Sequence, residues 1–211
     1  MSVLARLASI IVELRAGHKV TLAVVLSLAV LLSPGRSQAQ NVTYMEFKLG
    51  VWDHDVEFLG GREKGADINP EFLLWSPITD QMIADVSPWL KWALQPRPTI
   101  GAAINTNGLT NQYYLGATWS WFLAHDVINP GDGIVLGYFF GPGFNDGQLH
   151  NGDATRKALG SHILFREALD LGYQINPTWE LSAYIDHISN GGLAKENQSI
   201  NDVGLRLGYR F

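Results

Sequence analysis

Over most of the chain, apolar and polar side chains alternate with a period of two. The plainest runs are Tyr113–Leu123 (YYLGATWSWFL), Gly133–Phe140 (GIVLGYFF), Trp179–Ser189 (WELSAYIDHIS) and Val203–Phe211 (VGLRLGYRF). Such alternation puts successive side chains on opposite faces of a strand. In the last run Val203, Leu205, Leu207, Tyr209 and Phe211 share one face, and Gly204, Arg206, Gly208 and Arg210 share the other. A soluble sandwich hides its apolar faces and turns the polar ones to water. An apolar face backed by arginines and glycines suits a barrel whose outside meets lipid and whose inside is polar. A secreted sandwich or lipocalin-like barrel is the competing reading. Too many strands show their apolar side together with Trp and Tyr at strand ends for that reading to be preferred.

The pattern predicts eight strands, over about 43–56, 65–76, 97–107, 111–124, 132–144, 159–174, 178–189 and 200–211. The expected fold class is therefore all-β, an eight-stranded antiparallel outer-membrane β-barrel. An even count returns both termini to the periplasmic side. Segments 57–64, 108–110, 145–158 and 190–199 then become extracellular loops, and 125–131 and 175–177 become short periplasmic turns. Segment 77–96 is too long for such a turn. Ile83, Val86, Leu90 and Leu94, flanked by Pro77 and Pro96, have the spacing of an interfacial helix. The terminal Phe211 closes the last alternation, as is usual for outer-membrane barrels.

The beginning of the chain reads differently. Arg6, Arg15 and Lys19 precede the thirteen-residue apolar run Val20–Leu32, Ser33-Pro34-Gly35 breaks it, and Ser37-Gln38-Ala39 supplies small residues at a cleavage site. This is the layout of a secretory signal. A spanning helix would need about 20 apolar residues. The expected division is a signal peptide at 1–39 and a barrel at 40–211, with mature protein starting near Gln40.

Composition narrows the function classes. Net charge is −5 and the charged fraction 17%, which argues against nucleic acid as a partner. Apolar residues make up 46%, with 22 Gly, seven Trp, seven Tyr and nine Phe, in keeping with many strands, tight turns and aromatic belts. There is no cysteine, which excludes a disulfide scaffold and any thiolate metal site.

The sharpest chemical signal lies at the end of strand seven. Trp179, Leu181, Ala183 and Ile185 occupy the outward face, and continued alternation puts His187 and Ser189 on it too. Two residues apart on a strand, a His and a Ser point the same way, within reach of a base–nucleophile hydrogen bond. Polar groups on a lipid-facing row are costly unless they have work there. Asn190-Gly191-Gly192 follows, a turn whose backbone N–H groups could approach a reacting oxygen. By itself His-x-Ser is a weak motif, since polar residues often only mark the water boundary.

The segment His187-Ile188-Ser189-Asn190-Gly191-Gly192-Leu193, then Asn197 and the closing Gly204–Phe211, resembles the lipid A 3-O-deacylase (PagL) and acyloxyacyl hydrolase-like family. Arg97-Pro98, Gly101, Asn105-Thr106, Tyr114-Leu115-Gly116, Gly160-Ser161 and Phe165-Arg166-Glu167 extend the resemblance over most of the mature chain. It implies an outer-membrane esterase without metal or organic cofactor, with its site on the outer wall facing lipopolysaccharide. Ser189 would be the nucleophile, His187 the general base, and Asn197 would steady the oxyanion with Gly191 and Gly192. The expected partner is lipid A of the outer leaflet, with a homodimer as a further option.

One position departs from the family. Where well-known members complete the triad with a Glu, twelve residues after the serine, this chain has Asn201. Alternation puts Asn201 on the outward face with Val203 and Leu205. It puts Asp202 in the lumen unless a bulge swaps them. Asp202 and Glu196 are the alternative triad acids. An Asn can orient a histidine but cannot offset the imidazolium charge. A slower enzyme is expected. The other reading is a non-catalytic barrel that binds or anchors at the surface with a degraded triad.

Arg62, Lys64, Arg156, Lys157 and Lys195 fall in the predicted extracellular loops. They could meet lipid A phosphates or form an ordinary charged rim. His125-Asp126, His150 and His162 lack ligand spacing, so no metal is expected. Asp53-His54-Asp55 could be a metal or acid–base site, but a strand end near the rim explains it equally well.

Overall fold

The computed structural model describes residues 44–91 and 93–211. The predicted signal peptide and cleavage point lie outside the described residues. Eight antiparallel strands form a closed barrel in which each pairs with its sequence neighbours and the last pairs with the first. They are β1 (Glu46–Asp53), β2 (Ala66–Leu73), β3 (Arg97–Asn105), β4 (Gln112–His125), β5 (Gly133–Asn145), β6 (Ile163–Gln174), β7 (Trp179–Ser189) and β8 (Ile200–Arg210). Closure runs from Glu46 opposite Arg210 to Asp53 opposite Val203. It leaves no unpaired edge, which hydrocarbon would not tolerate. This is an outer-membrane β-barrel.

Period-two patterning makes the two faces. In β7 the residues from Trp179 to Ile185 alternate exposed and buried, and in β8 Leu205, Leu207 and Tyr209 face out while Arg206 and Arg210 are buried. Val51, Ile100, Leu115, Leu171 and Leu205 are more than half exposed, as a wall solvated by lipid requires. At the periplasmic end the Phe211 ring lies 5.8 Å from Phe72 and 6.1 Å from Tyr209, and Tyr209 lies 4.8 Å from Trp179. These form part of an interfacial aromatic belt.

The lumen is filled. Arg166, fully buried, stacks 3.6 Å over the Tyr114 ring, pairs with Asp186 at 2.8 Å and donates to the Tyr184 hydroxyl. Arg206 bridges Glu71 and Asp170 and lies 4.0 Å over Tyr184. Lys48 reaches Glu180 at 2.8 Å and Asp170 at 3.3 Å. Removing one member of such a network strands its partner's charge, a loss of about 3–5 kcal/mol.

Two expectations are corrected. β6 begins at Ile163 instead of 159. Gly160 sits at φ +74°, and an added Cβ there would lie 2.0 Å from the Glu196 carbonyl oxygen, so 159–162 serves as a loop that packs on its neighbour. Segment 77–96 is not one interfacial helix. Among the described residues it is a chain of turns with one four-residue helix, α1 (Pro88–Lys91). The Ser87-Pro88 step disfavours helix at Ser87 and divides the periodic run. Ile83 is buried while Met82 and Leu90 are exposed.

Just past β1, His54 sits inside the rim with Nδ1 2.9 Å from Asp67 and Nε2 3.4 Å from Glu63. Both nitrogens can donate to carboxylates only in the imidazolium. Burial opposes that charge, but the bonds to Asp67 and Glu63 outweigh it and raise the pKa to about 10. A folded value above the unfolded ~6.5 gives stability that is full below about pH 6.5 and lost as pH rises toward 10. Hydrogen exchange in segment 54–65 should therefore accelerate between pH 6 and pH 9.5 beyond the intrinsic rate. His54→Gln should remove most of that excess. An equal excess in the variant would discount the imidazolium.

Candidate active site

At the extracellular end of β7 the outward face carries His187 and Ser189, and β8 sets Asn201 directly opposite His187. Asn201 Oδ1 lies 2.7 Å from His187 Nδ1, and His187 Nε2 lies 3.1 Å from Ser189 Oγ. An amide oxygen only accepts, so Nδ1 carries the proton. The Nε2 lone pair then faces the serine hydroxyl. His187 is half-buried, while Ser189 and Asn201 are buried beneath the loops.

The loop after β7 is held by Asn190, which is 3% exposed. Its amide donates to the carbonyls of Leu159 at 2.8 Å and Glu196 at 2.5 Å. Its backbone N–H donates to Asn197 Oδ1 at 3.0 Å, and its side-chain oxygen accepts the Gly192 N–H at 2.9 Å. Gly191 and Gly192 adopt left-handed φ of 66° and 83°, which favour glycine. Beside this turn, Phe140, Pro142, Ile163, Phe165 and Leu193 line an apolar groove of about 410 Å³ that includes Asn190.

The profile of the lipid A 3-O-deacylase (PagL) family matches residues 85–210. The chain belongs to the lipid A 3-O-deacylase family. The crystal structure of the outer-membrane enzyme PagL superposes with a TM-score of 0.53 at 14% identity, over 77% of this chain and 97% of that one. The N-terminal β-barrel domain of Pseudomonas aeruginosa OprF gives 0.50 at 14% identity, over 82% of this chain and all of that one. At such identities the likeness is one of fold. No curated protein matches the chain.

In this family member the other candidate residues fall elsewhere. Asp202 faces the lumen, as alternation requires, and accepts from the Asp55 N–H at 2.9 Å and from Gln112 at 2.8 Å. Glu196 accepts from Asn151 at 2.9 Å, in the loops. Asp53-His54-Asp55 is not a unit. Asp53 faces out, whereas His54 joins Asp67 and Asp202 with potential ligand atoms within 4.8 Å of one another. Asp67 also accepts from Asn105 at 2.9 Å, so each member of this trio is hydrogen-bonded within the rim.

The basic loop residues divide. Lys157 is buried, pairs with Asp55 at 3.1 Å and donates to the carbonyls of Gly60 and Ser199, so it braces the loops and does not point at lipid. Exposed Lys64 pairs with Glu57 at 2.6 Å. Arg62 donates to the Arg156 carbonyl and Gln198 across the rim, and Lys195 is exposed.

Sequence reasoning placed Asn190 in the turn after β7 but gave its side chain no role, because its bonds to Leu159 and Glu196 have no local signal. Asn190→Ala would leave two carbonyls without their donor, a cost of about 1–3 kcal/mol each. Such a barrel should still assemble and shift on boiling in gels, while proteolysis of 190–199 speeds up and activity falls. Wild-type protease resistance and activity together would refute the anchoring role.

Proposed function

We propose that the chain hydrolyses an ester-linked, 3-O acyl chain of lipid A in the outer leaflet. The observation that carries this is the relay from Asn201 through His187 to Ser189 on the wall that faces lipid. Ser189 Oγ attacks the ester carbonyl as its proton passes to His187 Nε2. The resulting imidazolium gives that proton to the sugar oxygen as its bond to the acyl carbon breaks, so the sugar leaves as a hydroxyl and the acyl group stays on Ser189. Water then cleaves the acyl-enzyme by the reverse proton path, releasing the fatty acid and restoring the serine.

Asn201 holds the imidazole in the Nδ1–H tautomer. The oxyanion donors are the Asn197 amide and, because Gly192 N–H is already donated to Asn190, the Gly191 N–H. The apolar groove beside Asn190 takes the acyl chain. The three relay residues belong to two adjacent strands of one barrel. Arg62, Arg156 and Lys195 are the rim cations left to meet substrate phosphates.

Ser189→Ala and His187→Ala should each lower deacylation by at least about 10³ with barrel assembly intact. The mass of lipid A from expressing cells reads this directly, as loss of one hydroxyacyl chain. An unchanged spectrum with the native protein would favour a binding or anchoring barrel instead.

Asn201→Glu should raise the rate, by less than the roughly 10⁴ that the triad acid contributes in a serine protease. Asp202→Asn, which keeps the shape of a lumen residue, should leave the rate close to native. A dead Asp202→Asn with a normal Asn201→Ala would transfer the orienting role to Asp202.

A further inference from the structure

Glu167 lies on β6, in the outward series with Ile163, Phe165 and Leu169, among residues that face lipid. The β6–β7 ladder sets it directly opposite His187, and the β5–β6 ladder sets it opposite Phe140. Directly opposed residues on one face hold their Cβ atoms about 4.5–5.5 Å apart. One rung therefore runs across the outer wall as Phe140, Glu167, His187 and Asn201. A carboxylate on a lipid-facing wall costs free energy that an apolar residue would not, so its place beside the only histidine of β7 calls for a reason.

We infer that Glu167 is a positioning residue that supplies, from the β6 side of His187, the negative charge that Asn201 does not supply from the β8 side. This rests on the proposed Ser189 and His187 chemistry. Both ring nitrogens are already committed, Nδ1 to Asn201 and Nε2 to Ser189, so Glu167 acts through space and not by orienting the ring. When the proton moves from Ser189 to His187, the cation forms next to this carboxylate in a partly dehydrated setting, where charges interact more strongly than in water.

The other charged groups nearby are accounted for. From β8 the outward neighbours are Asn201, Val203 and Leu205, which do not titrate. On β5 the outward titratable group is Tyr138, and the loop between β7 and β8 carries Lys195 and Glu196. Arg166, Asp186 and Asp202 face the lumen on the other side of the same strands, and the first two neutralise each other at 2.8 Å.

The test is a double-mutant cycle on refolded barrels, with folding checked by heat-modifiable migration and rates read as kcat/KM against pH on lipid A and a model ester. Glu167→Gln should lose about tenfold, and the acidic limb of its profile should move to lower pH. Glu167→Leu suits a lipid-facing site and should show the same losses, which keeps the test available if the Gln variant folds poorly. In an Asn201→Glu background, Glu167→Gln should cost clearly less, because one carboxylate already balances the imidazolium. Native rates and pH profiles for both Glu167 variants, with Ser189→Ala dead, would overturn this inference and leave the nucleophile standing. Equal losses in both backgrounds would likewise overturn it. An active Ser189→Ala would instead remove the reading on which it rests.

Discussion

Closure of β1 on β8 is the constraint on which the rest of the structure depends. In hydrocarbon each backbone N–H and carbonyl needs a partner, and only a sheet without edges satisfies them all. Once the sheet closes, the two-residue period has a single consistent assignment. Apolar side chains face lipid, and whatever is polar must pack into a narrow lumen. An eight-stranded barrel has just enough interior to be filled by side chains. Hence Arg166 and Arg206 are matched to carboxylates and aromatic faces and Lys48 to carboxylates, and among the described residues these side chains pack the lumen as a polar core.

That division of faces sets the terms for chemistry on the outer wall. A soluble hydrolase buries its nucleophile in a cleft, but the lumen here is full. The wall already touches the lipid that the family acts on, so the polar residues proposed as the site, at the extracellular end of β7 and β8, need no pocket in the interior. The rigid ladder fixes His187 against Asn201 by register. Ser189 sits one outward position further along the same strand. The loops supply what strands cannot. Asn190 ties the glycine turn to 158–162, and Lys157 ties that loop to Asp55 and Ser199. Preorganisation of the proposed base and nucleophile thus comes from the sheet, and that of the proposed donors around them from loop-to-loop hydrogen bonds.

In the proposed mechanism, an amide at the place of a triad carboxylate separates two tasks that one residue usually performs. The geometry of Asn201 retains the first, since its oxygen holds the tautomer that leaves Nε2 free toward Ser189. The second task, balancing charge, falls to the environment of the ring. A barrel wall offers neighbours on both sides of any strand, which an isolated loop does not, and the β6 side of His187 holds Glu167.

Much of this was legible in the sequence because a lipid-facing barrel imposes a strict rule on every second residue. Eight strands, the lumen side of Arg206 and Arg210, the outward row of Ser189, His187 and Asn201, and the inward turn of Asp202 all follow from counting by two. Family resemblance assigned the roles that counting could not. What the sequence left open depends on partners distant along the chain. Segment 77–96 has helical spacing, yet it forms turns around a Ser-Pro step. Lys157 reads as a surface cation, but Asp55, about a hundred residues earlier, draws it inward. The trio around His54 unites residues from three strand ends. Glu167 stands twenty residues before His187, and only the β6–β7 register brings them side by side. Local periodicity determines which way a side chain points. Only closure and register decide what it meets there.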